Sequence, residues 1–181
     1  MTANRPMAVG FPAPSPLIVG ALDELRLAAA SPPEAESDLR RLAMLPRPWD
    51  PPTCPPELRR ILYTWLDDVV AWINEEHTWR VERVIPMCWV DHPHIVHELA
   101  TVACLRWEAE YAVSAVMLEE WHRYTLPMFL ERITQRIGSN GCPPGKHQAP
   151  PGMAHAALYR SEDEAVERRR RRMRDAEIGL Q

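Results

Sequence analysis

Proline is distributed unevenly along this 181-residue chain, and its distribution limits where regular secondary structure can form. Twelve of the 19 prolines lie in residues 1–56 and four more in residues 143–151, whereas residues 57–142 contain only three. Because proline fixes φ and lacks a backbone N–H, a proline-dense segment cannot run as a helix interior or a central strand. We therefore expect a helical domain at residues 57–147, a largely flexible region before it, and a linker and tail at 148–181.

Tryptophan marks where a compact core forms. All seven tryptophans lie between Trp49 and Trp121, whereas the chain has only two phenylalanines and four tyrosines. Tryptophan is a very large apolar side chain, and its indole N–H needs a hydrogen-bond acceptor when it is buried. We expect Trp65, Trp72, Trp107 and Trp121 to lie on helices of the core. Trp49 is expected outside it, where it packs back or serves as a binding handle.

Apolar residues at helical spacing predict an all-α domain of three to four helices. The first begins at Pro56 or Glu57, since proline suits the first helical position. Another begins at about Pro93, and a shift of its apolar stripe predicts a break near Ser114 before the next helix. Residues 78–85 form either a short strand or a helical turn. No pair of strands predicts a sheet.

The proline-rich region is predicted to contain one short helix at about residues 16–30 and a turn at about residues 38–45. Prolines separate these segments from each other and from the predicted domain. We interpret residues 1–56 as a tether whose helices are transient, and plain disorder is the alternative.

The charge of the chain excludes some partners. Net charge is −4, with 20 arginines and one lysine. This balance gives no reason to expect the whole chain to bind nucleic acid or an anionic membrane. Neither a signal peptide nor a transmembrane segment is predicted, so we expect a cytoplasmic protein. In that compartment the four cysteines are thiols or metal ligands rather than disulfides.

Two Cys/His pairs form the most informative motif. Cys88 and His92 are four positions apart, and Cys142 and His147 are five apart. Two thiolates and two imidazoles can provide the four ligands of a tetrahedral structural zinc site. A small domain gains folding free energy from such a metal. The spacing is not the tight C-x2-C of a zinc finger, and the alternative is a buried free thiol with no metal.

A second cluster lies at the start of the helix expected at Pro93. His94, His97 and Glu98 share a helix face, with His92 just before them, and such a face can bind a metal or move protons. The segment lacks the second histidine of an H-E-x-x-H helix, and the chain has no nucleophile elbow or phosphate-binding glycine motif. We therefore expect a non-enzymatic protein. One alternative is a metal-dependent enzyme that uses His92, His94 and His97. The simpler interpretation of the cluster is a solvated helix face without a catalytic role.

The tail combines acidic and basic residues. Arginines occupy every position from Arg168 to Arg172 and also position 174. Such a run can neutralise phosphates and bind nucleic acid without sequence specificity. Acidic residues four positions earlier also fit an ordinary solvated helix with i,i+4 pairs. The nucleic-acid-binding candidates are Arg168, Arg169, Arg170, Arg171, Arg172 and Arg174.

Landmarks in the middle of the chain follow a recognisable order: Trp89-Val90-Asp91-His92-Pro93, Trp107-Glu108, Trp121 with Leu126 and Leu130, and Cys142 with His147. Over about residues 63–147 this order resembles a tryptophan-rich actinobacterial family, a domain of unknown function (number 4913 in that series). Val90 and His94 stand where the family has tryptophan and glutamate, and Cys88 lies closer to His92 than the family's cysteine does.

The resemblance implies an origin in actinobacterial genomes, plasmids or integrated mobile elements, and it implies no activity. It also places Cys142 and His147 in a family motif. The residues and the resemblance together predict a cytoplasmic accessory domain that binds an unknown protein partner. The alternative is a nucleic-acid-binding accessory protein that uses the arginine-rich tail and carries a structural zinc in its core.

Overall fold

The computed structural model describes residues 8–30, 35–137, 142–143, 146–150 and 152–178. The chain divides into two compact units, Met1–Lys146 and His147–Gln181. The described residues form helices and turns and contain no strand, which confirms the all-α prediction. None of the described helices is both long enough and apolar enough to cross a bilayer.

The first unit is built from helices joined by turns and irregular segments. The helices are α1 (Pro16–Ala30), α2 (Glu36–Met44), α3 (Pro56–Glu76), α4 (Pro93–Glu110), α5 (Val116–Glu120) and α6 (Leu126–Ile137). A π-helical segment, Trp121–Thr125, joins α5 to α6. Because α1 and α2 precede the predicted domain, the helices outnumber the expected three to four.

The core forms where the apolar faces of these helices meet. Leu62, Leu66 and Ile73 of α3 are completely buried, as are Leu99 of α4 and Phe129 of α6. Their spacing follows the period of an α-helix, which places apolar side chains on one face. Burying each such side chain contributes about 1.5–3 kcal/mol relative to leaving it exposed. The apolar stripes read from the sequence are therefore the surfaces that hold the unit together.

Four tryptophans are buried and each has an acceptor for its indole N–H. Trp89 donates to Oδ1 of Asp67 at 2.8 Å, and Trp121 donates to the carbonyl of Val102 at 3.0 Å. The remaining two, Trp65 and Trp72, donate to carbonyls of the N-terminal segment. This pairing satisfies the requirement that a buried polar group be hydrogen-bonded.

The N-terminal segment packs on α3 instead of forming the predicted tether. Trp65 donates to the carbonyl of Pro12 and Trp72 to that of Val9, both at 2.8 Å. Phe11 packs edge-on against both indoles, with ring centroids 6.1 and 5.1 Å away. An extended, proline-rich segment keeps its carbonyls free of helical hydrogen bonds. It can therefore supply the acceptors that buried indoles need.

Helix α1 also belongs to the core. Ile18 is completely buried and Leu22 is 1% exposed, and both pack in the same cluster as the residues of α3 and α4. The helix that the sequence indicated at residues 16–30 is thus present, and it packs in the core. Trp49, expected outside the core, is half-buried and packs against it. The proline pattern predicted irregular backbone correctly, but irregular backbone is compatible with tight packing.

The connection from α3 to α4 contains neither a strand nor a long helix. Residues Val81–Arg83 form a single 3-10 turn. Asn74 of α3 holds the backbone after this turn. Its side-chain amide donates to the carbonyl of Ile85 at 3.0 Å, and its side-chain oxygen accepts from the N–H of Ile85 at 2.9 Å. Trp79 nevertheless projects outward and is 94% exposed, unlike the buried tryptophans.

The break predicted near Ser114 is confirmed. Helix α4 ends at Glu110 and α5 begins at Val116. The chain then enters the π-helical segment, in which the N–H of Leu126 reaches back to the carbonyl of Trp121.

An arginine is enclosed by aromatic rings beside that segment. The guanidinium of Arg106 lies 5.2 Å from the ring centroid of Phe11 and 5.8 Å from those of Trp72 and Trp121. Its charge is paired with Glu110 at 2.5 Å. Stacking of a cation on several aromatic faces stabilises the packing of the N-terminal segment on α3 and α4.

The second unit contains α7 (Gly152–Leu158) and α8 (Glu162–Ile178). The nucleic-acid-binding candidates, Arg168 to Arg172 and Arg174, all lie on α8. Glu167 pairs with Arg171 at 3.1 Å, in agreement with i,i+4 pairing on a solvated helix. The predicted linker and tail are thus largely helical in the described residues.

Replacing Phe11 by Ala tests whether the N-terminal segment is part of the fold. We expect the free energy of unfolding to fall by about 2 kcal/mol, because a large part of an aromatic side chain leaves the core. Leu27→Ala is the matched control, since Leu27 is 72% exposed, and it should change stability by less than about 0.5 kcal/mol. Denaturant unfolding measures both. If Phe11→Ala changed the free energy of unfolding as little as Leu27→Ala does, the N-terminal segment would be a tether.

Candidate metal centre

Two of the predicted ligands flank a short turn between two prolines. Trp89–Asp91 form a 3-10 turn, and the backbone N–H of Asp91 donates to the carbonyl of Cys88 at 2.9 Å. The N–H of His92 donates to the carbonyl of Trp89 at 3.1 Å. Pro93 then begins α4 directly after His92. The turn therefore folds Cys88 and His92 back towards each other.

The indole of Trp89 anchors this turn in the core. Trp89 is 2% exposed, it donates to Asp67 on α3, and its ring packs edge-on against Tyr63 at 6.0 Å. A residue inside the turn is thus locked to α3 by packing and by a hydrogen bond. Such support holds the neighbouring ligand side chains in place before a metal arrives.

The third predicted ligand completes a compact group within the first unit. Sγ of Cys142 lies 3.3 Å from Nε2 of His92, and Sγ of Cys88 lies 3.5 Å from the same nitrogen. In a tetrahedral site with sulfur at about 2.3 Å and nitrogen at about 2.0–2.1 Å from the metal, a sulfur and a nitrogen are about 3.6 Å apart. Both distances fit that geometry closely.

The fourth predicted ligand, His147, is the first residue after the boundary of the first unit. It brings the group to four, and one ligand atom from each residue lies within 4.8 Å of every other. The structure therefore brings together the whole set predicted from the sequence: Cys88, His92, Cys142 and His147. These four residues can hold a metal ion.

Burial changes across the group. His92 is 1% exposed, Cys88 and Cys142 are half-buried, and His147 is exposed. One side of the centre is thus fixed in the core and the other faces solvent. A metal ion can reach this side without unfolding the unit.

The thiols must lose protons when a metal binds. Burial and, to a smaller extent, the neighbouring thiol of Cys142 together raise the pKa of Cys88 to about 11. Without a metal, Cys88 is therefore a neutral thiol at neutral pH, beside the imidazole of His92. A bound cation reverses this preference, because it stabilises the thiolate directly.

The other histidines of the helix start do not join the group. His94 packs near His92, with ring centroids 5.7 Å apart, and burial lowers its pKa. His97 is exposed and lines a groove together with Glu98 and residues of α6. In the described part of the chain, neither belongs to a set of ligands that could hold a metal.

The carboxylate of this helix start is already paired. Burial favours the protonated form of Glu98, but hydrogen bonds from Arg132 and Arg136 outweigh it and lower the pKa. Oε2 of Glu98 lies 2.5 Å from Nε of Arg132, and Oε1 accepts from Arg136. The pairs tie α4 to α6. The geometry therefore favours a structural role for Glu98 over one as a general base.

Sequence reasoning did not find the support from Asp67. This residue lies on the polar face of α3, next to another aspartate, Asp68. The sequence offered one indication of such a contact: Trp89 lies between two predicted metal ligands, and its indole N–H needs an acceptor if it is buried.

Comparison of the chain with protein-family models, with curated proteins and with solved structures finds no match. The resemblance to the tryptophan-rich family therefore stays a prediction.

Replacing Asp67 by Ala tests whether the anchored turn supports the metal ligands. The buried indole N–H of Trp89 loses its acceptor, so we expect the turn to loosen and the affinity for Co²⁺ to fall about tenfold. Titration followed by visible absorption measures this affinity. Asp68→Ala is the matched control, because Asp68 is the next residue on the same helix and is exposed like Asp67, whereas the bond to Trp89 is made by Asp67. If both variants bind Co²⁺ as the unaltered protein does, the support is not needed.

Proposed function

We propose that this protein is a zinc-stabilised helical accessory domain that acts by binding another protein. The observation that carries the proposal is the convergence of two thiols and two imidazoles, all within 4.8 Å. A tetrahedral set of two sulfur and two nitrogen ligands is typical of zinc. Four protein ligands leave no coordination position for a substrate, so the metal would be structural rather than catalytic.

The position of the centre explains why a metal would benefit this fold. Cys88 and His92 precede α4, whereas Cys142 follows α6. The metal therefore links segments about 50 residues apart in sequence. A covalent cross-link closing a loop of that length stabilises a protein by about 4 kcal/mol in the chain-entropy model. A coordinated metal constrains the unfolded chain in a similar way, and its binding free energy adds to folding.

Protein binding is supported by exposed apolar residues in the connection that also carries Cys88 and His92. The connection between α3 and α4 exposes Trp79 at 94%, Val81 at 87% and Met87 at 87%. Hydrogen bonds of Asn74 to Ile85 hold this connection in place. An exposed indole on a fixed segment offers a large contact area at a small cost in conformational entropy, as in many binding hot spots. We call Trp79, Val81 and Met87 the apolar edge.

The metal is tested by replacing Cys142. The purified protein should bind one Zn²⁺ per chain, and Cys142→Ala should lose it, since a site with three ligands holds zinc far more weakly. His147→Asn should weaken zinc binding less strongly than Cys142→Ala does. His155→Asn is the control and should leave zinc binding unchanged, because His155 is an exposed histidine of α7. Elemental analysis and competition with a chromophoric chelator measure this. Full zinc occupancy in Cys142→Ala would contradict the proposed site.

Protein binding is tested at the apolar edge. Trp79→Ala should abolish capture of a partner from the source cell's lysate, because the exposed indole supplies most of the contact area. Met44→Ala is the control, since Met44 is 83% exposed on α2. Capture that is equal in both variants would exclude the apolar edge. Turnover of a substrate by the zinc-loaded protein would contradict a non-enzymatic role.

A second candidate function is nucleic-acid binding through α8. Among the described residues, Arg169, Arg172 and Arg174 are exposed and make no ion pair. Three exposed guanidinium groups on one helix can contact phosphates. Binding to duplex DNA should then fall with salt, with a slope of about −3 in a double-logarithmic plot, and disappear when the three are replaced by glutamine. Arg41→Gln on α2 should leave it unchanged.

A further inference from the structure

A groove of about 690 Å³ lies on the first unit, away from the metal ligands. It is lined by α1, by the C-terminal end of α4, and by Met117 of α5. Grooves of this size accommodate small ligands or single side chains of a peptide. Its lining combines aromatic and charged residues.

The aromatic part of the lining consists of Trp107 and Tyr111. Their ring centroids are 4.9 Å apart and their planes are nearly perpendicular, at 77°. Tyr111 is 64% exposed, so one face of its ring is open to solvent. The electron-rich face of an aromatic ring attracts a cation.

Trp107 differs from the four buried tryptophans of the core. Its Nε1 is buried, yet it has no hydrogen-bond partner among the described residues. The indole N–H groups of Trp65, Trp72, Trp89 and Trp121 all have acceptors in the chain. The Nε1 atom is enclosed by the chain, so Trp107 contributes its ring, and not its N–H, to the lining of the groove.

The charges along the groove leave one carboxylate uncompensated. Arg26 and Asp23 of α1 pair with each other at 2.8 Å. Glu108 makes no ion pair within the described residues and adds a net negative charge beside Trp107. An aromatic groove with an excess carboxylate is complementary to an organic cation.

We propose that this groove binds a lysine or arginine residue of a peptide. The cationic side chain lies against the ring of Tyr111 and the carboxylate of Glu108, beside the ring of Trp107. The inference rests on the proposed protein-binding function, because it names the chemistry that a partner would present. It depends neither on the metal nor on the apolar edge.

The test uses isolated residue derivatives with the full zinc-loaded chain. The probes are N-acetyl-arginine methylamide and its citrulline counterpart, which has nearly the same shape without the charge. Binding is followed by the indole N–H signals in ¹H–¹⁵N spectra, and the signal of Trp107 is assigned by its loss in Trp107→Phe. We expect the arginine probe to move this signal saturably and the citrulline probe to bind at least tenfold more weakly.

Two carboxylate variants test the charge. Glu108→Gln should weaken binding of the arginine probe about fivefold. Glu120→Gln, an exposed glutamate on α5 outside the groove, should leave it unchanged. Equal binding of the two probes, an unmoved Trp107 signal, or no effect of Glu108→Gln would each overturn the proposal. These failures would leave zinc binding and partner capture at the apolar edge untouched, whereas loss of capture in Trp79→Ala says nothing about the groove.

Discussion

The need of each buried indole N–H for an acceptor organises this fold. Two tryptophans of α3 find acceptors in the N-terminal segment and draw a proline-rich stretch into the core. Trp89 finds its acceptor in Asp67, and this bond fixes the turn that carries Cys88 and His92. A buried polar group that loses its partner costs about 1–3 kcal/mol, so each bond favours one arrangement over its alternatives. Packing and metal geometry therefore depend on the same few hydrogen bonds.

The same requirement connects the core to the proposed functions. A turn locked by Trp89 carries Cys88 and His92, which lie close enough to Cys142 and His147 for the four to hold one metal ion. Trp107 is half-buried and has no acceptor for its N–H among the described residues, and it lies in the groove proposed for a basic residue. Trp79 is almost fully exposed and marks the apolar edge. Burial and hydrogen bonding thus separate the tryptophans that build the fold from those available to partners.

Sequence patterns predicted the parts of this structure that arise from local periodicity. The apolar stripes of α3 and α4, the break near Ser114 and the four Cys/His positions could all be read directly, because each depends on spacing along the chain. The packing of the N-terminal segment could not be predicted in this way, because proline content indicates how regular the backbone is and carries no information about tertiary contacts. The contact between Trp89 and Asp67 was likewise invisible, since it joins residues from two separate segments.

X-ray absorption at the zinc edge tests the central claim most directly, since it reports the ligands of the metal and their distances. The account predicts one zinc per chain with two sulfur ligands at about 2.3 Å and two nitrogen ligands at about 2.0–2.1 Å. A spectrum dominated by oxygen ligands, or a folded protein that takes up no stoichiometric zinc, would contradict it.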